Sequence, residues 1–546
     1  MLPSDLRQRP SGLSDVRLGL LFALVLFVLA AWPLLLVEVP PFQDLPNHLA
    51  TAHIVAHPAL YPQYVFNGFF RSNSLLTLWL AAFGGHSLTG AARAFVAFVL
   101  ALNAVALPFF VLRFAGRGAL AVAMLFVWPL VHSFAVSMGF LNFASAFALS
   151  LILLTLIDRQ RESPSLRKGL GITALAGLVW YAHPFPLAVV GALVALHVVS
   201  RPNRRARIRA FLGMQLPLAP AGFLSLLIAR QHLIKADHAP TFASAPFTYL
   251  NPWELAEHLW LDVSGALTRW GSMTIVPALL LFYFACRPVN DGPEGREGRT
   301  QRPLLSGYAL AILAAAYLAL PVMLSNWNYL NCRLVPFLWV GLALRLPRTL
   351  PRPIVVLLAA CALSFSAVLG VDYVRLDRDR AEFTAGMEAV PARATLLPLL
   401  FKQGKTSDFT ASLTHAWGYY TLAKDTSAPL VFAVERSYPI TYREFPPRAL
   451  IPPALDQFAE RNGTAAQVCQ RLRQAPDDAA CAAAWRALWA GFWREAEPRF
   501  SHLLTWAIPA EARPMIPAVY QRVFAAGELE IYAREARPGA GKDDRP

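Results

Sequence analysis

Long apolar stretches separated by short polar loops dominate the chain up to residue 371. About twenty apolar residues cross a bilayer, and these stretches come close to that length. The predicted spans are 18–37, 91–112, 119–137, 139–157, 169–183, 185–199, 210–230, 270–286, 304–324, 333–346 and 353–371. The pattern therefore predicts an α-helical polytopic membrane domain over 1–371, with about 11 transmembrane helices.

Arginine and lysine gather in alternate loops, such as 158–168 and 200–209, as they do in cytoplasmic loops. This distribution predicts a cytoplasmic N-terminus and an outer first loop over 38–90. The apolar segment 74–83 is expected to be an interfacial helix within that loop, because a crossing there would invert every later Arg-rich loop. A cleaved signal peptide is the alternative for the first stretch. Its run through 34–36 is too long for a typical signal sequence, so an uncleaved helix is expected.

Residues 372–546 have ordinary charge density and no spanning run, so they predict a soluble C-terminal α/β domain outside the membrane. Strands are predicted at 394–400, 430–434, 502–507 and 529–533, and helices at 411–423, 464–474, 477–497 and 517–526. The Gly-, Pro- and Arg-rich loop 287–303 is expected to be a disordered cytoplasmic linker.

Composition agrees with a membrane protein. The 546 residues are 56% apolar and 15% charged, whereas soluble domains have about 25% charged residues. The mean hydropathy is +0.43. The net charge of +15 resides largely in the short loops between apolar runs, so it reports membrane topology and predicts no nucleic-acid partner.

The five cysteines show no zinc-type spacing. Cys469 and Cys481 flank the turn of a predicted helical hairpin in the tail, and antiparallel helices would bring them opposite each other. We expect a disulfide between them in an oxidising periplasm. The alternative is a pair of unpaired buried thiols.

The first outer loop carries the main candidate chemistry, in the stretch EVPPFQDLPNHLATAHIVAH over 38–57. Its prolines end the first helix and begin another at Pro46, which places Asp44 near the N-cap. An acid held at a helix start is a candidate general base or substrate anchor, and the alternative is that Asp44 only caps the helix. The other candidates in this loop are His48 for catalysis, and Glu38, Asn47 and His53 for substrate binding.

A zinc site is the other candidate chemistry in this loop. His48, His53 and His57 together with Asp44 match no closed zinc motif. We therefore predict neither a metal nor another cofactor.

The segment FQDLPNHLATAH resembles the Asp-x-Pro-x-His segment of uncharacterised bacterial members of the GT-C class of membrane glycosyltransferases. That class takes sugars from polyprenyl-phosphate donors and has roughly eleven to thirteen helices. The resemblance implies a GT-C-like fold in the bacterial inner membrane, with the C-terminal domain in the periplasm. It also implies that Asp44 is the catalytic acid of the first periplasmic loop. Many members have an Asp-Glu pair there, whereas this chain has Gln43-Asp44.

Further polar residues reach the same outer face under this topology. The resemblance implies an arginine for the lipid phosphate near the mouth of a late helix, and Arg333 fits in charge and in its bidentate geometry. The alternative is that Arg333 is an interfacial anchor. His183 is the second candidate for the donor phosphate, although helix-end packing is its more ordinary role. Asn328 and Asn331 are further substrate-binding candidates.

The resemblance implies a glycosyltransferase that moves a sugar to a cell-envelope glycan or lipid, by direct displacement with inversion. Its partners would be a polyprenyl-phosphate-linked sugar and membrane lipids. A lipid or glycan transporter or flippase is the second hypothesis, but acidic residues are nearly absent from the predicted spans. A non-catalytic envelope assembly protein is the third.

Overall fold

The structure, a computed structural model, describes residues 12–234, 247–264, 267, 274–286, 304–324, 327–407, 410–433, 438–452, 454–473 and 479–535. The predicted linker 287–303 lies outside them.

Helices dominate the described residues. They are α1 (Gly12–Ala31), α2 (Leu45–Ala56), α3 (Leu75–Phe83), α4 (Leu88–Phe114), α5 (Arg117–Val127), α6 (Phe134–Ser137), α7 (Leu141–Glu162), α8 (Leu166–Ala182), α9 (Pro184–Val199), α10 (Arg204–Ala210), α11 (Ala219–Ile234), α12 (Pro252–Ser264), α13 (Ile275–Cys286), α14 (Gly307–Ala319), α15 (Val335–Ala343), α16 (Arg352–Thr384), α17 (Gly418–Lys424), α18 (Ala454–Asn462), α19 (Ala465–Leu472) and α20 (Ala479–Ala496). The strands are β1 (Tyr64–Phe66), β2 (Phe247–Thr248), β3 (Met323–Leu324), β4 (Trp327–Asn328), β5 (Leu396–Leu400), β6 (Ile440–Tyr442), β7 (His502–Trp506), β8 (Tyr520–Ala526) and β9 (Leu529–Arg534).

Within the described part of the chain, six helical segments are long and apolar enough to cross a membrane. They are Leu13–Leu35, Leu88–Phe114, Arg117–Ser137, Leu141–Glu162, Arg204–Leu227 and Arg352–Ala389. These segments support the prediction of a polytopic membrane protein. The remaining five predicted spans contain helices of 9 to 17 residues, which reach about 14–26 Å and so fall short of a bilayer core of ~30 Å. The number of eleven crossings therefore stays a prediction.

Segment 74–83 forms α3, a helix of nine residues that packs against α2 and α4. Its length of about 14 Å is too short to cross a bilayer. A helix within the first loop agrees with the expected arrangement.

Helix α7 is the centre of the helical part, because it is buried along most of its length and packs against α4, α8 and α9. The same hydrophobic core continues into the tail, where Trp506 of β7 and Ile531 of β9 belong to it. The helical part and the tail therefore share buried apolar surface.

Helix α16 runs unbroken across residue 371, the predicted domain boundary. Its 33 residues are about 50 Å long, so its second half extends beyond a bilayer core. The tail holds this projecting half: Asp379 accepts hydrogen bonds from the backbone N–H and hydroxyl of Thr406, at 2.9 and 2.8 Å. The Tyr420 hydroxyl donates to the Phe383 carbonyl at 2.9 Å.

The tail contains a four-stranded sheet in the order β5-β7-β9-β8, in which β5 and β7 are parallel and the other pairs antiparallel. The predicted strands at 394–400, 502–507 and 529–533 correspond to β5, β7 and β9. Helices α19 and α20 correspond to the predicted hairpin, and a disulfide joins Cys469 to Cys481 across it. The tail is thus a small mixed region of strands and helices.

Three tail predictions are wrong. Segment 517–526, predicted as a helix, forms β8, because the hairpin turn at Gly527 (φ +57°) pairs it with β9. Segment 430–434, predicted as a strand, forms turns over its described residues 430–433, because a side chain of the first loop takes the hydrogen bonds of its backbone. Only Gly418–Lys424 of the predicted helix 411–423 is helical, since turns occupy 412–417.

The tail is docked on the first loop. Strand β1 of the loop pairs antiparallel with β6 of the tail, and α2 packs against α17. The approach of α2 to α17 is close enough that a Cβ on Gly418 would stand 2.5 Å from the Pro46 carbonyl oxygen. A backbone atom cannot yield cheaply, so glycine is required at this contact.

Gly418→Ala should therefore separate α2 from α17 and destabilise the protein by about 1–3 kcal/mol through overpacking. The measurement is the melting temperature of the purified protein in detergent. Gly85→Ala is the control, because a Cβ there meets nothing within 4 Å. Equal melting temperatures for the two variants would contradict the described contact.

Candidate active site

Two hydrogen bonds of its own backbone, one from the N–H and one to the carbonyl, hold Asp44 in place. Its N–H donates to the Met138 carbonyl at 3.1 Å, and its carbonyl accepts from the His48 N–H at 3.2 Å. Asp44 occupies the N-cap position of α2, yet its side chain accepts no capping hydrogen bond. The carboxylate is therefore available for contacts other than helix capping.

The turn between α6 and α7 lies directly against Asp44. Gly139 in this turn has a φ of +83°, and a Cβ there would stand 3.0 Å from the Asp44 nitrogen and 3.1 Å from the Asp44 Cβ. Glycine avoids both the backbone strain and the collision. The first loop and the α6–α7 turn thus fix the position of the Asp44 backbone and of its Cβ atom.

The Asp44 carboxyl has an unusual environment for an acid. Its side chain is 13% exposed, and Oδ1 lies 3.5 Å from Nε2 of His415 in the tail. Burial raises the pKa of Asp44 to about 7, against the lowering effects of the Arg333 guanidinium and a hydrogen bond from the Gln43 side chain. At neutral pH the carboxyl is therefore poised between its acidic and basic forms, which is what a general base requires.

Asn47 connects α2 to the tail with every polar atom of its fully buried side chain. Its Nδ2 donates to the Leu430 carbonyl at 3.0 Å and lies 3.3 Å from Nδ1 of His415, and its Oδ1 accepts from the Phe432 N–H at 3.0 Å. Gln43 makes a similar connection, since its Oε1 accepts from the Ala411 N–H at 3.0 Å. Asn47, predicted to bind substrate, is thus engaged with protein atoms.

His48 lies one helical turn after Asp44, with its ring edge-on to Phe432 at 5.7 Å between centroids. Burial lowers the pKa of His48 to about 4, so the ring is neutral at pH 7. A neutral imidazole can donate one hydrogen bond to a phosphate oxygen but supplies no positive charge.

Arg333 and His183, the two predicted phosphate ligands, lie together. Nη1 of Arg333 is 2.6 Å from Nε2 of His183, and the other nitrogen of that ring, Nδ1, accepts from the Phe185 N–H at 3.2 Å. The guanidinium also lies over the rings of Phe140 and Phe143, at 5.3 and 5.4 Å from their centroids. These contacts fix a planar cation near enough to Asp44 to lower the pKa of that carboxyl.

The other predicted substrate ligands are placed differently. Glu38 is exposed. Burial is the main cause of the raised pKa of Tyr419, and the negative charge of Glu38 raises that pKa further. His53 lies at the far end of α2, with Nε2 2.8 Å from Oδ1 of Asp425. Asn331 is fully buried and accepts from the N–H of Cys332 at 2.9 Å. Asn328 belongs to β4, and its side chain lies outside the described atoms.

The first-loop histidines do not assemble a metal site. Within the described ranges, no group of three or more His, Cys, Asp or Glu side chains is placed to hold a metal ion. The rings of His53 and His57 contact each other at a tilt of 40°, with 4.5 Å between centroids, away from the start of α2.

Sequence reasoning missed the tail residues of this site, His415 and Phe432. His415 is 368 residues from Asn47 and lies within turns, so no local spacing relates it to the first loop. The residues described here could together remove a proton with Asp44 and hold an anion with Arg333.

Comparisons with known proteins add a distant likeness. No protein-family model matches the chain, and no curated protein matches its sequence. The crystal structure of ArnT from Cupriavidus metallidurans in the apo state aligns over 96% of this chain and 98% of its own, with a TM-score of 0.43 and 11% identity. At these values the likeness establishes neither a common family nor a common activity.

The Asp44 carboxyl should titrate with a midpoint near pH 7. Infrared difference spectra between native protein and Asp44→Asn isolate its C=O band, which should be present at pH 5 and vanish as the pH rises. Subtraction is needed because burial also raises the pKa of Asp456 to about 7. A midpoint near 4, the ordinary value for an aspartate, would show a solvated carboxyl instead.

Gly139→Ala should displace Asp44, and hence move this midpoint toward the ordinary range. Gly116→Ala is the matched control, because Gly116 has a similar φ of +80° but a Cβ there meets nothing within 4 Å. Both variants bear the strain of a positive φ, at about 1 kcal/mol or more. Only the change at Gly139 should alter the Asp44 titration, so equal midpoints would argue against the contact.

Proposed function

We propose that this chain is a membrane glycosyltransferase that moves a sugar from a polyprenyl-phosphate donor to a cell-envelope acceptor. The observation that carries the proposal is a buried carboxyl with a pKa of about 7 whose charged form is favoured by a fixed guanidinium. A glycosyl transfer from a lipid phosphate needs both a base for the incoming hydroxyl and a cation for the leaving phosphate. The resemblance of FQDLPNHLATAH to GT-C sequences supports the same reaction.

In the proposed reaction the Asp44 carboxylate accepts the proton of the acceptor hydroxyl. The hydroxyl oxygen forms a bond to the anomeric carbon while the bond from that carbon to the phosphate oxygen breaks. The polyprenyl phosphate leaves with the electron pair, and Arg333 binds its charge. Because the displacement is direct, the anomeric configuration inverts. His48, as a neutral donor, contributes a hydrogen bond to the phosphate.

The proposed compartment is the bacterial inner membrane, with the first loop and the tail in the periplasm. The Cys469–Cys481 disulfide supports an oxidising environment for the tail. The first loop then lies on the same side, because it pairs with the tail through β1 and β6. The Arg-rich loops between spans favour the same orientation.

The test compares lipid-linked sugars and envelope glycans by mass spectrometry in a strain that lacks the protein and in complemented strains. Asp44→Asn should lower the transferred sugar about 100-fold or more, since an amide accepts no proton. Asp456→Asn is the matched control: its carboxyl has a similarly raised pKa but lies on α18 in the tail, beside Glu460. It should restore the sugar fully.

Stability separates a catalytic loss from a folding loss. The folded-state pKa of Asp44 is above the unfolded value of 3.8, so this group's contribution to stability falls as pH rises from about 4 to 7. The Asp44→Asn variant has no carboxyl to ionise at this position, so it does not lose stability in this way. Its melting temperature at pH 8 should be no lower than that of native protein. A variant that folds and still restores the sugar would leave Asp44 without a catalytic role and favour a transporter or assembly protein.

A further inference from the structure

We propose that His415 is a positioning residue for Asp44, donating from Nε2 to Oδ1 of the carboxylate and so directing Oδ2 to the acceptor hydroxyl. The expected effect of His415 on the kinetics of sugar transfer rests on the proposed function, whereas its expected effect on the Asp44 carboxyl does not. The tail would then supply part of the site, through a residue 368 positions from Asn47.

The position of the His415 proton follows from a chain of hydrogen bonds that begins in the backbone. The Phe432 N–H can only donate, so the Asn47 atom it contacts at 3.0 Å must be the amide oxygen. The amide nitrogen then faces the Leu430 carbonyl at 3.0 Å, which requires a donor, and Nδ1 of His415 at 3.3 Å. An amide NH₂ group only donates, so Nδ1 must carry a lone pair.

The remaining ring nitrogen of His415 therefore carries the proton. Burial, and secondarily the charge of His48, lower the pKa of His415 to about 3, so the ring is neutral and has a single N–H. With Nδ1 accepting, that N–H is on Nε2, which faces Oδ1 of Asp44 at 3.5 Å. This separation is longer than a hydrogen bond, and we expect it to shorten when Asp44 ionises, as catalytic contacts do in occupied sites.

The ring of His415 has little freedom to turn away. It is 7% exposed and packs edge-on against Phe432, at 5.1 Å between centroids, and against Trp417, at 6.4 Å. Among the described residues, the charged and titratable groups that interact with Asp44 or with His415 include the Arg333 guanidinium and the His48 ring on α2, besides His415 itself. His415 is the one among these three whose proton the Asn47 amide orients.

A donor to the charged form of a carboxyl lowers its pKa. Removing the donor should therefore raise the Asp44 midpoint. The variants are His415→Phe, which keeps a ring without a donor, and His415→Gln, whose amide N–H can replace Nε2–H. Infrared titration of the full chain, each variant against its own Asp44→Asn double, should show the midpoint raised by about one pH unit in His415→Phe. His415→Gln should remain within a few tenths of a unit of native protein.

If the role of His415 were purely structural, His415→Phe would lower the melting temperature of the protein without moving the midpoint of the Asp44 titration. An unshifted midpoint in folded His415→Phe would overturn the proposal. If that variant does not fold, the native protein still decides the question. Nitrogen-15 NMR of histidine-labelled protein, with His415→Gln to assign the signal, should show His415 protonated at Nε2, and a proton on Nδ1 would overturn the proposal.

Kinetics extend the test once sugar transfer can be followed. The acid limb of kcat/KM should move with the infrared midpoint in His415→Phe, so that activity near pH 6 falls roughly tenfold while activity above pH 9 is retained. KM for the donor should not change. An infrared shift without any glycosyl transfer would defeat the proposed function and leave the role of His415 intact. If glycosyl transfer is found but the infrared midpoint does not shift, the proposed function stands and the proposed role of His415 is overturned.

Discussion

The site depends on the desolvation of one carboxyl. Two separate parts of the chain cover Asp44: the α6–α7 turn and the tail loop around His415. Such close packing is tolerable only if the backbone groups it covers find partners, because an unmade buried hydrogen bond costs about 1–3 kcal/mol. Asn47 supplies these partners for Leu430 and Phe432, and so allows the tail to cover the start of α2.

A raised pKa does not by itself make a carboxyl a catalyst. Asp456 reaches about the same pKa as Asp44 through burial, but the second cause of its shift is the like charge of Glu460. For Asp44, the Arg333 guanidinium and a hydrogen bond from Gln43 instead favour the charged form while burial opposes it. The two residues share one physical effect, and their neighbours give them different chemical capacities.

Local patterns in the sequence located most of the elements, because apolar runs and short β-rich segments are properties of neighbouring residues. The strands β5, β7 and β9 and the start of α2 were accessible in this way. Segment 517–526 was not, since its pairing with β9 outweighs a helical composition. The turns at 430–433 and the place of His415 depend on Asn47, and nothing in either segment shows that distant partner.

The covalent order of these parts has a consequence for biosynthesis. Asp44 leaves the ribosome 371 residues before His415 (415 − 44), an interval of roughly 20–70 s at ordinary rates of elongation. During that time the first loop lacks the strand that pairs with β1 and the residues that cover α2. A nascent chain therefore lacks the tail's part of the cover over Asp44, and the site described here is complete only after the residues around His415 have been made.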